Sequence, residues 1–461
     1  MQKRDKRIIL CLAHMSGNEM KYIQEAFDQN WVVPLGPNVN KFEEELKRFV
    51  ISPAPSKEKE ENTLRSEAYP QSIGPHEDDP EKLWLHSIEN PKLKDKQVVA
   101  LASGTSAVHL ALVALGVGPG DEVICQSFTF CASSHPVCYQ SATPVFVDSE
   151  PETWNMDPEL LEDAIKDRIA KTGRKPKAII DVYLYGMPGN IAAIKAVADK
   201  YGIPLVEDAA EGLGSRYDGQ VCGTFGEYGV LSFNGNKMIT TSGGGALICP
   251  DKTTRNQVMF YATQAREGYP YYQHEKIGYN YRLSNVCAGI GRGQLTVLDE
   301  HIAHHRHLAK FYEEAFSDVD GITFHHVEEL DGHKIESNYW LNTITIDPNL
   351  KIKGQENAYK TTVKSAVGGA AGVIHYVDSA HTDCEPNVNV EALRLWLDSL
   401  NVESRPLWKP MHKQPVYKGC PAYVNGTAES IFKVGLCLPS GPLVSDDDAR
   451  FIVDAIKEAI C

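Results

Sequence analysis

The chain has 461 residues, of which 42% are hydrophobic and 23% charged, and its formal net charge is −15. That acidity excludes non-specific attraction to nucleic acid or an anionic membrane, so any anionic ligand must be gathered by a local set of donors. The eleven cysteines are odd in number and contain no Cys-x-x-Cys pair, which excludes a disulfide framework or a cysteine zinc site and fits free thiols in a reducing cytosol.

The basic start Lys3–Arg7 leads into the apolar run Ile8–Ala13. That run is too short for a signal peptide and reads as a first β-strand. No stretch has the length of a membrane span, and the expectation is a soluble, cytoplasmic protein. Ser16-Gly-Asn-Glu19 is a capping box for a helix to about Asn30, with Met20, Ile23 and Phe27 on one face. Trp31–Pro37 is an extended apolar loop, and a second helix covers Lys41–Val50. Residues Ile51–Gln97 turn rich in Pro, Glu, Lys and Ser. They read as an insertion, disordered or docked through Trp84 and Leu85.

Strands and helices then alternate. The pattern gives a strand at Val98–Ala102, then Ser103-Gly-Thr-Ser106 opening the helix Ala107–Leu115. It continues with strands Glu122–Gln126 and Thr143–Asp148, the helix Pro158–Ala170 and the strand Ala178–Leu184. The helix Ile191–Tyr201 and the strand Ile203–Glu207 follow. This order predicts a mainly parallel sheet in an α/β layer, with ligands beyond the carboxyl ends of its strands. Ser103–Ser106 sets hydroxyls and backbone N–H groups at a helix N-terminus, a place suited to phosphate, although most such caps bind nothing. Asp208 lies at a strand end, as a helix cap or as a ligand partner.

Between the strand-like runs Gly229–Phe233 and Gly245–Pro250 stands Ser232-Phe-Asn-Gly-Asn-Lys237. A lysine held in such a turn loses solvation, which favours the nucleophilic amine and a Schiff base with a carbonyl cofactor. Alone, the stretch describes an exposed turn lysine better. A long helix is expected from Ser284 to about Phe316, its Gly289, Gly291 and Gly293 marking close packing. His301, His304, His305 and His307 on it read as a solvated or interface cluster rather than a metal site. From about Gly321 a smaller α+β domain is expected, with a strand Tyr339–Ile346, a helix Val390–Leu400, an edge strand Val402–Arg405 and a terminal helix Ala449–Ile460 capped at Ser445. The division is therefore 1–320, carrying the insertion at 51–97, and 321–461, carrying a second insertion at 353–389.

A phosphate-type helix start, an aromatic strand end at Phe128-Thr-Phe130, a carboxylate at 208 and a serine–lysine turn at 232–237 form a set. Pyridoxal phosphate asks for these four: a phosphate cradle, a ring face, an acid for the pyridine nitrogen and an amine for its aldehyde. At this point the chain resembles the DegT/StrS-type sugar aminotransferases of fold-type I. The likeness rests on His14–Glu19, Asn30–Pro37, Ser103-Gly-Thr105, Gly118–Val123, Ser127–Phe130, Glu207–Glu211, Ser232–Lys237, Gly278-Tyr-Asn-Tyr-Arg282 and Arg405–His412.

The resemblance implies that Lys237 bonds the cofactor and shuttles the proton, that Asp208 pairs with the ring nitrogen, and that Phe130 stacks on the ring. Gly104, Thr105 and Ser232 would hold the phosphate. It implies a homodimer in which Asn280, with Arg282, reaches the neighbouring subunit's phosphate. His14, Trp31, Tyr185, Arg405, Trp408, Lys409 and His412 would contact the sugar nucleotide, and no metal is expected. The chain departs from the family at Glu211, where Gln or His is common near the cofactor's phenolic oxygen, and at Tyr183, where His is common. An ionised Glu211 would repel a phenolate, so it must be protonated, turned away or otherwise engaged.

The implied activity is transfer of an amino group from L-glutamate to a keto nucleotide sugar, foremost C4 of a UDP-4-keto-6-deoxy-N-acetylhexosamine. Rival readings are amination at C3, a sugar dehydratase (in which histidine replaces the lysine) and a non-catalytic regulator that retains the fold.

Overall fold

The computed structural model describes residues 1–52, 93–359 and 384–461. Trp84, Leu85 and most of both expected insertions lie outside the described residues. The first nine strands in chain order supply seven strands of the main sheet and, as β6 and β7, a hairpin that belongs to a separate small sheet. They are β1 Gln97–Leu101, β2 Glu122–Gln126, β3 Thr143–Val147, β4 Ala178–Val182, β5 Leu205–Asp208, the short hairpin β6 Arg216–Tyr217 and β7 Gln220–Val221, then β8 Tyr228–Ser232 and β9 Gly245–Cys249. The eight-stranded sheet runs β1-β9-β8-β5-β4-β2-β3 and closes with the short strand Ala422–Tyr423. Strands β2, β3, β4, β5 and β8 pair in parallel, while β9 runs antiparallel to both β1 and β8. Apolar runs such as Val98–Leu101 and Val123–Cys125 are buried end to end. Such runs suit strands covered on both faces, the condition of a parallel sheet flanked by helices.

The strands and helices follow the expected order, with ends shifted by a residue or a few. Ala178–Val182 stops at Tyr183, and β5 extends through Asp208. Helix Gly104–Ala114 begins earlier than expected, because Ser103 caps it through its side chain on the Ser106 N–H. A second sheet orders Ile322–Phe324, Asn342–Ile346, Gly435–Leu438 and Arg405–Pro406, with a separate apolar cluster around Leu393, Leu436 and Ile452. Pairing crosses the expected boundary at 320, since His333–Glu336 joins β6 at Arg216 and Tyr217.

Three expectations are corrected. Ile8–Ala13 is not a strand: only Ile8 bridges, in parallel, to Val402, and Leu10 gives its N–H to the Glu403 carboxylate instead of a ladder. The long helix from 284 is two helices, Asn285–Leu295 and Leu298–Phe316; the Thr296 hydroxyl donates to the Gly293 carbonyl at 2.6 Å where the first one ends. Three of the four histidines are not solvated: His301, His304 and His305 are buried, whereas His307 is exposed with Nε2 2.8 Å from the Asp446 carboxylate. His301 and His305 are fully buried, and each places Nδ1 3.0 Å from a backbone carbonyl, of Met238 and Tyr339 respectively. Among the described residues no group of His, Cys, Asp or Glu could hold a metal, and no helix is long and apolar enough to cross a membrane.

The glycines of Asn285–Leu295 do what their spacing suggested. A Cβ on Gly293 would stand 2.7 Å from the Glu19 nitrogen, and one on Gly291 2.7 Å from the Phe42 ring. Exchanging Gly for Ala raises helix propensity by about 1 kcal/mol, whereas overpacking against backbone costs about 1–3 kcal/mol. The obstacle at Gly293 is backbone, so Gly293→Ala is expected to lower the denaturant midpoint. An unchanged or raised midpoint would refute the close-packing account.

Candidate active site

The carboxyl ends of β1, β2, β4, β5 and β8 lie along one edge of the sheet, and each delivers a singled-out residue: Ser103–Thr105, Ser127–Phe130, Tyr183–Tyr185, Asp208 and Ser232. Lys237 follows β8 on the hairpin that returns as β9. This turn is tied to the rest of the chain almost residue by residue. The Gly235 carbonyl accepts from Ala13 N–H at 3.1 Å. The Asn236 carbonyl accepts from the Trp340 indole N–H at 2.6 Å. The Met238 carbonyl meets His301 Nδ1 at 3.0 Å, and Thr240 N–H donates to Gln294 Oε1 at 3.3 Å.

Lys237 itself is only 13% exposed. Its Nζ lies 3.8 Å over the Trp340 ring and 3.4 Å from Glu211 Oε1. A desolvated ammonium between a carboxylate and an indole face is held by ion pairing and by the ring quadrupole together. Glu211 is buried, and its Oε2 accepts the Tyr185 N–H at 2.7 Å. Burial pushes its carboxyl above the ordinary range, against the pull of Lys237 and the Tyr185 N–H. Tyr185 is held at φ +55°, a strained backbone for a bulky residue.

Asp208 is buried at the end of β5. Its Oδ2 accepts the Ser133 hydroxyl at 2.7 Å and its Oδ1 the Ala210 N–H at 3.1 Å. Burial raises its carboxyl, and the Ser133 bond, the Ala210 N–H and the Lys237 charge oppose that. A buried acid whose hydrogen-bond donors are neutral is suited to a cationic ring nitrogen. Beside it, a Cβ on Gly104 would stand 3.0 Å from Ser232 Cβ and 3.3 Å from its Oγ. The glycine thus brings the start of a helix against the serine, with Thr105 half-buried next to it, and leaves N–H and hydroxyl donors for a phosphate. Acid, cradle and amine lie on one edge, and the residues present fit pyridoxal phosphate.

Phe130 is 49% exposed, and its ring lies 5.4 Å from Trp408. The Trp408 N–H donates to the Tyr185 hydroxyl at 2.7 Å, and the two rings stack at 6.0 Å. Among the described residues the Trp408 indole N–H is buried and donates to nothing. His412 Nδ1 meets Ser127 Oγ at 2.7 Å, and burial lowers its affinity for a proton, Asp148 opposing. Lys409 is half-buried on the same segment, while Arg405 is exposed and pairs with Glu403 at 3.0 Å.

The remaining candidates lie apart from this group. His14 is half-buried behind the lysine turn, and its carbonyl accepts from Gln294. Trp31 is on the surface. Asn280 is exposed and forms an isolated bridge to Thr263. Arg282 is turned inward, its guanidinium bonded to Glu43 and to the Ala100 carbonyl. Sequence reasoning missed Trp340 and Ser133. Ser133 follows Ser127–Phe130 closely enough to have been noticed, but nothing local marks a tryptophan so far downstream as the floor of the turn.

An α/β sheet with an amine, a buried acid and a phosphate cradle on its carboxyl edge defines a pyridoxal-phosphate-dependent transferase of fold-type I. The chain belongs to the DegT/DnrJ/EryC1/StrS aminotransferase family, whose profile matches residues 89–383. It is 38% identical to EpsN of Bacillus subtilis (strain 168), which carries the name of a pyridoxal phosphate-dependent aminotransferase; the match covers 98% of this chain and 95% of that one. It is 30% identical to a GDP-perosamine synthase of Escherichia coli O157:H7, over 96% of each. A crystal structure of a DegT DnrJ EryC1 StrS aminotransferase from Brucella abortus superposes with a TM-score of 0.72 at 24% identity, covering 96% of this chain and 95% of that chain. The protein is an aminotransferase, and its cofactor is pyridoxal phosphate.

Proposed function

We propose that the protein moves an amino group from L-glutamate to a keto nucleotide sugar, foremost to C4 of UDP-2-acetamido-2,6-dideoxy-hexos-4-ulose. The observation that carries the reading is the placement of Lys237 between Trp340 and Glu211, on the edge that also holds Asp208 and Ser232. When bound, the cofactor supplies an aldehyde and a ring that accepts negative charge from the donor's Cα. In this reading Lys237 Nζ would bond that aldehyde, be released when the donor's amine displaces it, and as the freed amine take a proton from the donor's Cα, returning one in the reverse half-reaction. Asp208, held by Ser133, would keep the ring nitrogen protonated, and Phe130 would stack on the ring. Gly104, Thr105 and Ser232 hold the phosphate.

The segment Arg405–His412 supplies the cations and the unsatisfied Trp408 indole N–H that a nucleotide diphosphate needs on a chain of net charge −15. Similarity to a GDP-perosamine synthase supports a nucleotide sugar as acceptor. We place the site at a homodimer interface. Met20 and Phe27, expected on one face of their helix, are 65% and 58% exposed, and Trp31, Val32, Val33 and Leu35 next to them are also open. A contiguous apolar surface of this kind suits a second copy of the chain, to which the exposed Asn280 is available.

Incubation with glutamate and a panel of 3- and 4-keto nucleotide sugars, with each product identified, tests the substrate. Turnover of 4-keto sugars is expected, and turnover of 3-keto sugars alone would replace C4 by C3. Sedimentation velocity is expected to show a dimer, and a monomer that turns over substrate would remove the shared-site reading.

A further inference from the structure

We infer that Asn338 is a positioning residue for the transfer reaction: its side-chain amide ties the loop that leaves Asp208 to the tryptophan that grips the lysine turn, and so fixes where Lys237 stands relative to Asp208. The inference rests on the proposed roles of Lys237 and Asp208, the two points between which the cofactor would be held. Asn338 lies between the strands His333–Glu336 and Asn342–Ile346, remote in sequence from both, and is fully buried. Its Nδ2 donates to the Glu211 carbonyl at 2.8 Å and to the Leu213 carbonyl at 2.9 Å, which uses both amide hydrogens. Its Oδ1 accepts the Trp340 N–H at 2.9 Å. Its own backbone N–H donates to Ser215 Oγ at 2.9 Å, and the Ser215 hydroxyl passes on to the Gly186 carbonyl at 2.6 Å.

The two sides of this amide lead to the two proposed anchors. The carbonyls held by Nδ2 belong to the loop that begins where β5 ends at Asp208. The backbone held by Oδ1 belongs to Trp340, whose indole N–H donates to the Asn236 carbonyl at 2.6 Å and whose ring lies 3.8 Å from Lys237 Nζ. One planar group thus joins acid and amine through a short series of hydrogen bonds. An apolar side chain could fill the space without making the tie. Aspartate has the same shape but no N–H donors, so it would set an oxygen against two carbonyls. The fold makes room for the amide at Gly186, where φ is +93° and a Cβ would stand 1.8 Å from Oδ1. Position matters here because a displacement of about 1 Å at a reacting group can cost about 10²-fold in rate.

Visible circular dichroism of pyridoxal phosphate bound to the full-length protein reads the orientation of the ring between its anchors. In Asn338→Asp the yellow colour should still develop, but the dichroism per unit of absorbance should change. Its kcat should fall by about 10²-fold while the KM for glutamate stays close to that of the wild type. Trp340→Phe cuts the same tie at the Asn236 carbonyl and should change dichroism and kcat in the same sense, which keeps the test open where Asn338→Asp fails to fold. Gly293→Ala is the control for lost stability, since it lies outside the tie; it should keep the wild-type dichroism and kcat. Unchanged dichroism and kcat in either folded tie variant, or the same changes in Gly293→Ala, overturns the inference. If Lys237→Ala acquires colour as the wild type does, the Lys237 reading itself fails, which is a distinct result.

Discussion

Lys237→Ala is expected to lose the yellow colour that the wild type acquires with pyridoxal phosphate, and to lose turnover by at least about 10³-fold. The wild-type colour should bleach with glutamate and return with a keto acid. The effect is expected to be the largest of any single substitution, because the proposed bond and both proton transfers use the same nitrogen. Removing the side chain also leaves Glu211 and the Trp340 face without their cation, so Lys237→Arg is the necessary companion. Arginine restores a positive charge between those two groups and does not form the bond. A variant that is folded, colourless and inactive as Arg assigns the loss to the missing amine. Colour in Lys237→Ala equal to that of the wild type would refute the central claim.

The second large effect concerns acid. Burial lowers His301 and His304 to about 4 and His305 to about 3, from an ordinary 6.5. Contacts with backbone carbonyls and neighbouring acids oppose the shift, but burial dominates. Each folded-state value lies below the unfolded one, so the unfolded chain binds protons first as the pH falls. The stability these groups contribute is complete above about pH 6.5 and is lost progressively down to about pH 4, and to about pH 3 for His305. Each shift corresponds to an upper bound on the order of 3–5 kcal/mol, against a typical net stability of about 5–15 kcal/mol. The buried carboxyls Asp181, Glu207, Asp208 and Glu211 are shifted upward by burial and work in the opposite sense.

A single melting curve therefore mixes the two, and a difference separates them. His305→Asn can keep a donor for the Tyr339 carbonyl without the titration. Its melting temperature is expected to fall less steeply than that of the wild type between pH 6.5 and 4. Parallel curves would show that His305 takes no part.

The fold was legible where one signal dominated. Continuous apolar runs marked β1 to β5, and the runs flanking the lysine marked β8 and β9. The helix caps Ser103 and Ser445 and the glycine stripe 289–293 were equally plain. What escaped depended on contacts remote in sequence. Ile8–Ala13 has the composition of a strand but lies where a carboxylate claims its N–H. His301, His304 and His305 are polar by type, and only the spacing i, i+3, i+4 hinted that they share an inward face. At the site, the order of Ser103–Ser106, Phe130, Asp208, Ser232 and Lys237 along the chain already pointed to one chemistry, and these residues arrive on or beside one sheet edge. Arg282 could not be placed in advance, because its carboxylate partner, Glu43, sits on an early helix with no local cue.

The tie from Ala13 to the lysine turn has a bearing on how the protein is made. Residues 8–12 are held by late ones: Ile8 bridges Val402, the Leu10 carbonyl accepts from Ser440, and Leu12 packs against Gly441. A ribosome emits residues 8–12 long before Val402, Ser440 and Gly441, so these contacts cannot form until those partners are out. The sheet can assemble as it emerges, but the strap across the Gly235 carbonyl is fastened only after residue 441 is out. Until then the nascent chain can carry the cofactor cradle and the lysine, already set between Glu211 and Trp340, with the Gly235 end of the turn still untied.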